Sequence, residues 1–145
     1  MATYVLGMNA GLYQGEAGST TPSSMSEVDN VRDVTLSMEA GEADITTRGN
    51  NGWRATAPTL RECTVEFQMV WKPGDAVFET IKNAFLTSGT VALAVLDQKV
   101  GVSGAQGPLG DFSITNFSRN EALEEAIVAD VTAKLAVFVE WHEVA

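Results

Sequence analysis

Between Cys63 and Trp71 the chain alternates without a break. Cys63, Val65, Phe67, Met69 and Trp71 fall on one side, and Thr64, Glu66 and Gln68 on the other. A period of two marks a β-strand, because successive side chains leave the pleated backbone on opposite faces. At ~3.4 Å per residue the run spans ~30 Å, longer than the usual strand of ~5 to 6 residues. A ribbon of this length with one apolar and one polar side must rest its first face on a core and leave its second in water.

The same pattern recurs in shorter pieces. Tyr4, Leu6 and Met8 share one face and predict a first strand over Tyr4–Met8, and Val34, Leu36 and Met38 do the same for Val28–Met38. Glu39-Ala40-Gly41-Glu42 predicts a turn, followed by short strands at Ala43–Thr46 and Trp53–Ala57. Asn50-Asn51-Gly52 between them supplies residues tolerant of positive φ and predicts a tight loop. Thr90–Leu96 is apolar almost throughout, as expected for a strand covered on both faces. Strands over Asp111–Arg119 and Ala126–Ala136 follow, with Val137–Trp141 as a further strand or an extended arm.

Only one segment has helical spacing. After the break at Pro73-Gly74-Asp75, the residues Val77, Phe78, Ile81, Ala84 and Phe85 recur at the interval of an amphipathic helix. Asp75 suits its cap and Gly89 its end. Two stretches read as loops. Residues 9–26 carry Gly11, Gly15, Gly18 and Pro22 among Ser and Thr, and predict a long loop or an arm that orders against a partner. Residues 97–110 form a second, glycine-rich loop. The expected fold is a mainly β sandwich or barrel with one helix across it. The expected core is Val65, Phe67, Met69, Trp71, Phe78, Ile81 and Phe85.

At 145 residues the chain fits one domain spanning residues 1–145, able to bury roughly 70% of its unfolded surface. No stretch approaches the ~20 apolar residues of a membrane span. The N-terminus has no basic n-region, so no secretory signal is expected and synthesis in a cytoplasm is. Cys63 is the lone cysteine, expected as a buried, inert thiol, and His142 is the lone histidine. These counts exclude a Cys–His or Ser–His–Asp centre that does not rely on one imidazole, and a metal site of several His or Cys ligands. The glycines of residues 97–110 match neither phosphate-binding spacing, so no nucleotide or other cofactor is expected. Glu121, Glu124 and Glu125 are the densest acidic cluster, and at a presumed turn they suit a subunit contact better than acid–base chemistry. The chain is expected to be non-catalytic.

Charge is unevenly placed. Nine Lys and Arg face nineteen Asp and Glu, a formal net charge of −10 that repels nucleic acid. Residues 27–44 are acidic, with Asp29, Asp33, Glu39, Glu42 and Asp44 against Arg32 alone, while Arg48, Arg54 and Arg61 follow as a basic segment. Separate acidic and basic patches allow copies to pair head to tail, closing into a ring or running on as a filament.

The run Thr46-Thr47-Arg48-Gly49-Asn50-Asn51-Gly52-Trp53-Arg54-Ala55-Thr56 resembles a stretch typical of bacteriophage tail tube proteins. So does Asp111-Phe112-Ser113-Ile114-Thr115-Asn116-Phe117-Ser118-Arg119, followed by Glu124-Glu125-Ala126 and a strand ending Val131-Thr132-Ala133-Lys134. The resemblance covers most of Glu39–Leu135 and rests on pattern, since neither run is a chemical motif. It implies a β-sandwich with a flanking helix, forming hexameric rings around an acidic channel, each subunit giving long strands to a continuous inner barrel. Rings would stack into a tube, with the glycine-rich loops reaching neighbouring rings and DNA passing as transient cargo. Subunit contacts would fall on Arg48, Arg54, Arg61, Arg119, Glu39, Glu42, Asp44, Glu124 and Glu125. Implied partners are tape-measure, baseplate or hub, and tail-terminator proteins, with a sheath protein if the tail is contractile. The implied location is the virion tail, assembled in the host bacterial cytoplasm, with no membrane contact.

Two alternatives stay open. The same ring would serve as the tube of a bacterial secretion or contractile injection system. A small ligand-binding β-barrel would instead use Trp53, Trp71 and Phe67 to line a pocket. Trp141 suits either an interface anchor or ordinary core packing.

Overall fold

The computed structural model describes residues 4–145. Seven strands form one antiparallel sheet: β1 (Gly11–Gly15), β2 (Ser26–Glu27), β3 (Val31–Asp44), β4 (Thr56–Val70), β5 (Thr90–Leu96), β6 (Gln106–Asn120) and β7 (Val128–Glu143). Their order across the sheet is β2-β1-β5-β6-β7-β4-β3. A single α-helix, α1 (Ala76–Thr87), packs against β5 and β6. The sheet curls enough for its ends to approach. The Val28 N–H donates to the Leu12 carbonyl in β1, and two residues on the Val70 N–H of β4 donates to the Asn30 carbonyl.

The alternation of the Cys63–Trp71 segment becomes the inner half of β4. Cys63, Val65, Phe67 and Met69 are buried, while Glu66 is exposed and Thr64 and Gln68 are half-buried. These side chains meet Phe78 and Ile81 of α1 and Phe112, Ala129, Val131 and Ala133 of β6 and β7 in one core. Burying aliphatic or aromatic side chains of this kind contributes roughly 1.5 to 3 kcal/mol each. Burial also raises the pKa of the Cys63 thiol. Trp71 lies one residue beyond β4 and is half-buried, its ring edge-on to Phe78 at 4.9 Å. Phe85 belongs to the rim instead of the core: it is 37% exposed and stacks on Phe117 at 6.3 Å.

The helix begins where the sequence punctuates it. The Asp75 carboxylate accepts the Phe78 N–H at 3.1 Å, satisfying one of the first-turn donors that lack an intrahelical partner. At the other end Ser88 takes the left-handed conformation (φ 58), so Gly89 follows the turn without forming it.

Several expected boundaries move. Tyr4–Met8 is not a strand, since Gly7–Asn9 is a 3-10 turn and Tyr4, Leu6 and Met8 are exposed. Residues 9–26 are not one long loop: they contain β1, whose Gly11, Leu12, Tyr13 and Gln14 are all buried between β5 and β2. The predicted turn at Glu39–Glu42 is a bulge around Gly41, and β3 continues through it to Asp44. Trp53 and Arg54 precede β4, which starts at Thr56. The 97–110 loop ends at residue 105, because Gly107 and Gly110 lie inside β6. A Cβ on Gly107 would overlap the Val95 carbonyl, so that strand packs too closely there for a side chain. Val137–Trp141 is neither a separate strand nor an arm but part of β7.

Candidate assembly surfaces

The back of the sheet, away from the helix, is polar because the register aligns the polar members of four alternating strands. Ser113 of β6 pairs with Lys134 of β7, Lys134 with Thr64 of β4, and Thr64 with Ser37 of β3. The adjacent rows run Asn116, Thr132, Glu66, Thr35 and Ser118, Asp130, Gln68, the last joined by a 3.1 Å hydrogen bond from the Gln68 amide to Asp130. Shallow grooves on this face are lined by Asp33, Glu39, Glu62, Glu66 and Asp130 with Lys134 as the only cation. Glu39 stands directly opposite Glu62. Like charges in that position oppose pairing, so this pair is held by the ladder around it and not by its own charges.

Both margins of this four-stranded face carry open backbone edges. Among the described residues β3 is the last strand of the sheet, with no partner beyond it. On the far side β5 pairs with β6 only over Leu109–Ser113, so among the described residues Ile114–Asn120 have no strand partner there. Open edges of this length are ready-made templates for pairing with another chain. Each strand of the set is antiparallel to the next, so β3 and β6 run in opposite senses.

The two ends of the face differ. At one end β4 and β7 part beyond Thr64 and Lys134, and the β3–β4 hairpin continues alone. Its tip is held by its own hydrogen bonds. The Asn50 N–H donates to Thr47 and the Trp53 N–H to Asn50, the Asn50 side-chain amide donates to the Trp53 carbonyl at 3.0 Å, and the Ala55 N–H donates to the Thr46 hydroxyl at 2.8 Å. Asn51 (φ 52) and Gly52 (φ +84) supply the left-handed backbone that the reversal needs. Asp44 accepts the Thr46 N–H at 2.9 Å, and hydrogen bonds from the Thr46 side chain and backbone lower its pKa. At the opposite end the β6–β7 turn presents Glu121, Glu124 and Glu125.

The sequence-predicted contact residues distribute over these surfaces. Arg48 and Arg54 sit together at the hairpin tip, with Thr47, Gly49, Asn50, Asn51, Gly52 and Trp53. Arg61 does not join them, lying farther down β4 opposite Ala40. Glu39, Glu42 and Asp44 spread along β3, and Glu124 and Glu125 occupy the turn. Arg119 is at that same end, its guanidinium 5.0 Å over the Trp71 ring and 3.5 Å from Glu121. Trp53 and Trp71 stand at opposite ends of β4, so they do not line a common pocket with the buried Phe67. Trp141 is partly exposed on β7 and donates to the Gln106 side chain at 3.0 Å. Sequence reasoning did not find the open β6 margin, because nothing in residues 114–120 says where β5 stops.

Comparisons with known proteins agree with this geometry. The sequence matches no curated protein. The fold is similar to a chain in the tail of an empty gene transfer agent particle refined with C6 symmetry, at a TM-score of 0.75 and 18% identity, covering 97% of this chain and 98% of that one. In the virion of a native gene transfer agent particle the similarity is 0.67 at 16% identity, over 93% and 98% of the two chains. The SPP1 tail tube gives 0.74 at 14% identity, over 98% of this chain and 81% of that one. A family model described as phage tail tube protein matches residues 13–138. The chain belongs to the phage tail tube protein family and is a structural subunit of a tail tube.

Proposed function

We propose that the subunit closes with five further copies into a ring whose inner wall is the polar face of β6, β7, β4 and β3, and that stacked rings form an acidic channel for DNA. The opposite senses of the two open margins support this reading. Rotation about an axis roughly along the strands preserves strand direction, so the β6 margin of one copy meets the β3 margin of the next antiparallel. Both open margins of the polar face are then used, and the barrel closes. The number six comes from the C6 symmetry of the gene transfer agent tail to which the fold is similar.

The acidic balance of the polar face fits a channel for a polyanion, which adheres where cations replace its counterions and is repelled where carboxylates face it. Within that role residues 1–145 act as a single structural domain without chemistry of their own. The ring is assembled in the host bacterial cytoplasm and meets tape-measure, hub and terminator proteins at the ends of the tube, with a sheath outside it if the tail contracts.

Negative-stain imaging of the purified chain tests the ring. Six-fold class averages are expected, and a monomer that persists at assembly concentrations overturns the reading. Gln68→Cys tests the wall: a small maleimide should still label assembled tubes while a polymer-linked one should not. Equal labelling by both would place the polar face outside.

A further inference from the structure

The two ends of the long sheet are chemically opposite. Between Asp44 and Thr56 the tip carries Arg48 and Arg54 and no carboxylate, together with Ile45 and Trp53, which is 75% exposed. Between Arg119 and Val128 the β6–β7 turn carries three glutamates and no cation, around Leu123, which is 99% exposed. Arg119 faces Glu121, but among the described residues no cation lies within ion-pair distance of Glu124 or Glu125, and none of Arg48 and Arg54 is paired either. One chain cannot bring these groups together. The tip precedes Thr56 and the turn lies beside Val70 through its pairing with Val128, so the fifteen residues of β4 hold them apart, by roughly 50 Å at ~3.3 Å per residue.

We propose that the β3–β4 tip of one copy docks on the β6–β7 turn of a second copy stacked along the strand direction, Arg48 and Arg54 facing Glu124 and Glu125 and Trp53 covering Leu123. The contact rests on the tube reading above and names the surfaces through which successive rings join. It is heterologous, since tip and turn are different surfaces of the same chain, so it does not saturate and repeats indefinitely along one axis. Each partner offers what the other lacks: two unpaired guanidinium groups for two unpaired carboxylates, and an exposed aromatic ring for an exposed leucine. The tip brings little ordering cost, because its reversal is already fixed by its own hydrogen bonds. The direction of stacking is set as well. Two tips repel each other, and so do two turns, which leaves head-to-tail growth.

Charge reversal separates this contact from ring closure. R48E/R54E and E124R/E125R are each expected to form rings but to shorten tubes by roughly tenfold or more at equal protein concentration, as loss of a unit of contact energy several times RT requires. Mixing the two variants should restore tip-to-turn junctions between unlike rings in both directions and so regrow tubes of alternating rings. A Trp53→Cys, Leu123→Cys double variant should yield a ladder of covalent multimers on a non-reducing gel, absent in either single variant. Tubes of normal length from a charge-reversed chain, or assembled tubes of the cysteine variant that give no ladder, overturn the docking while leaving ring closure standing. Wild-type chain that forms neither rings nor tubes overturns the tube reading and the docking with it.

Discussion

The inner and outer halves of β4 share one strand and one partner, β3, yet they are held in place differently. From Thr64 to Val70 the strand has β3 on one side and β7 on the other, and from Cys63 onward alternate side chains enter the core under α1. From Thr56 to Glu62 it pairs with β3 alone and buries nothing, and Leu60 is 84% exposed. The inner half is hydrogen-bonded on both sides and the outer half on one. The difference teaches that the core fixes the register near Phe67, and that the ladder extends outward from it, shifted by one residue at the Gly41 bulge, into water where no side-chain packing enforces it. A two-stranded ribbon is marginal alone, so the outer half is the part whose order depends most on neighbours.

The largest break in that comparison should come from one truncation in each region. Phe78→Ala removes a fully buried ring that packs against Trp71 and Phe117, and the expected loss is roughly 3 to 5 kcal/mol in urea denaturation of the free chain. Leu60→Ala is expected to stay within about 0.5 kcal/mol in the same measurement, because its side chain is already in water. Equal losses would mean that the outer hairpin packs on something within its own chain. Next in size is Asp75→Ala, which removes the cap of α1 at a cost of about 1 kcal/mol. That effect belongs to the packed half, since α1 covers the core. Exchange of the outer-hairpin amides should therefore hardly change while the α1 amides exchange faster.

The same division decides what could be read from sequence. Where one face is buried and the other wet, residue type reports position, and Cys63–Met69 and the Asp75-capped helix were legible almost to the residue. The hairpin reversal was legible too, because Asn50-Asn51-Gly52 is there for its backbone. Legibility failed where glycine serves packing. Gly11 begins a strand buried on both faces, with a Cβ there colliding with Tyr13, and Gly107 and Gly110 let strands approach too closely for side chains. Read as loop residues, they hid β1 and the start of β6. Gly41 marked a bulge where a turn was expected, since both signals place one glycine between two charged residues. The assembly surfaces were legible as charge and not as geometry: Arg48, Arg54 and Arg61 read as one basic segment, yet the strand carries Arg61 away from the tip.

A smaller effect sharpens the outer half alone. Glu62→Gln removes the like charge opposite Glu39, which should stabilise the free chain by a few tenths of a kcal/mol at low salt, with less gain as salt screens the pair. No gain at any ionic strength would show that the two carboxylates splay apart in solution. In assembled tubes the same change removes one carboxylate per subunit from the proposed channel wall, so a gain for the free chain need not carry over to the assembly.

The smallest effect is expected at the base of the tip, where the Thr46 side chain and backbone hold the Asp44 carboxyl below its ordinary pKa. A carboxyl with a depressed folded pKa favours the folded arrangement above its unfolded pKa and loses that preference as pH falls through the folded value. The Asp44–Thr46 contact should therefore be complete at neutral pH and fade only under acid conditions, with a midpoint below that of free aspartate. The Thr46 amide shift, followed by NMR in the free chain, should report a midpoint below that of an unstructured aspartate. Asp44→Asn should abolish that titration and leave the amides of Cys63–Val70 unmoved. If those core amides shifted with the same midpoint, the two halves of β4 would be coupled more tightly than their packing indicates.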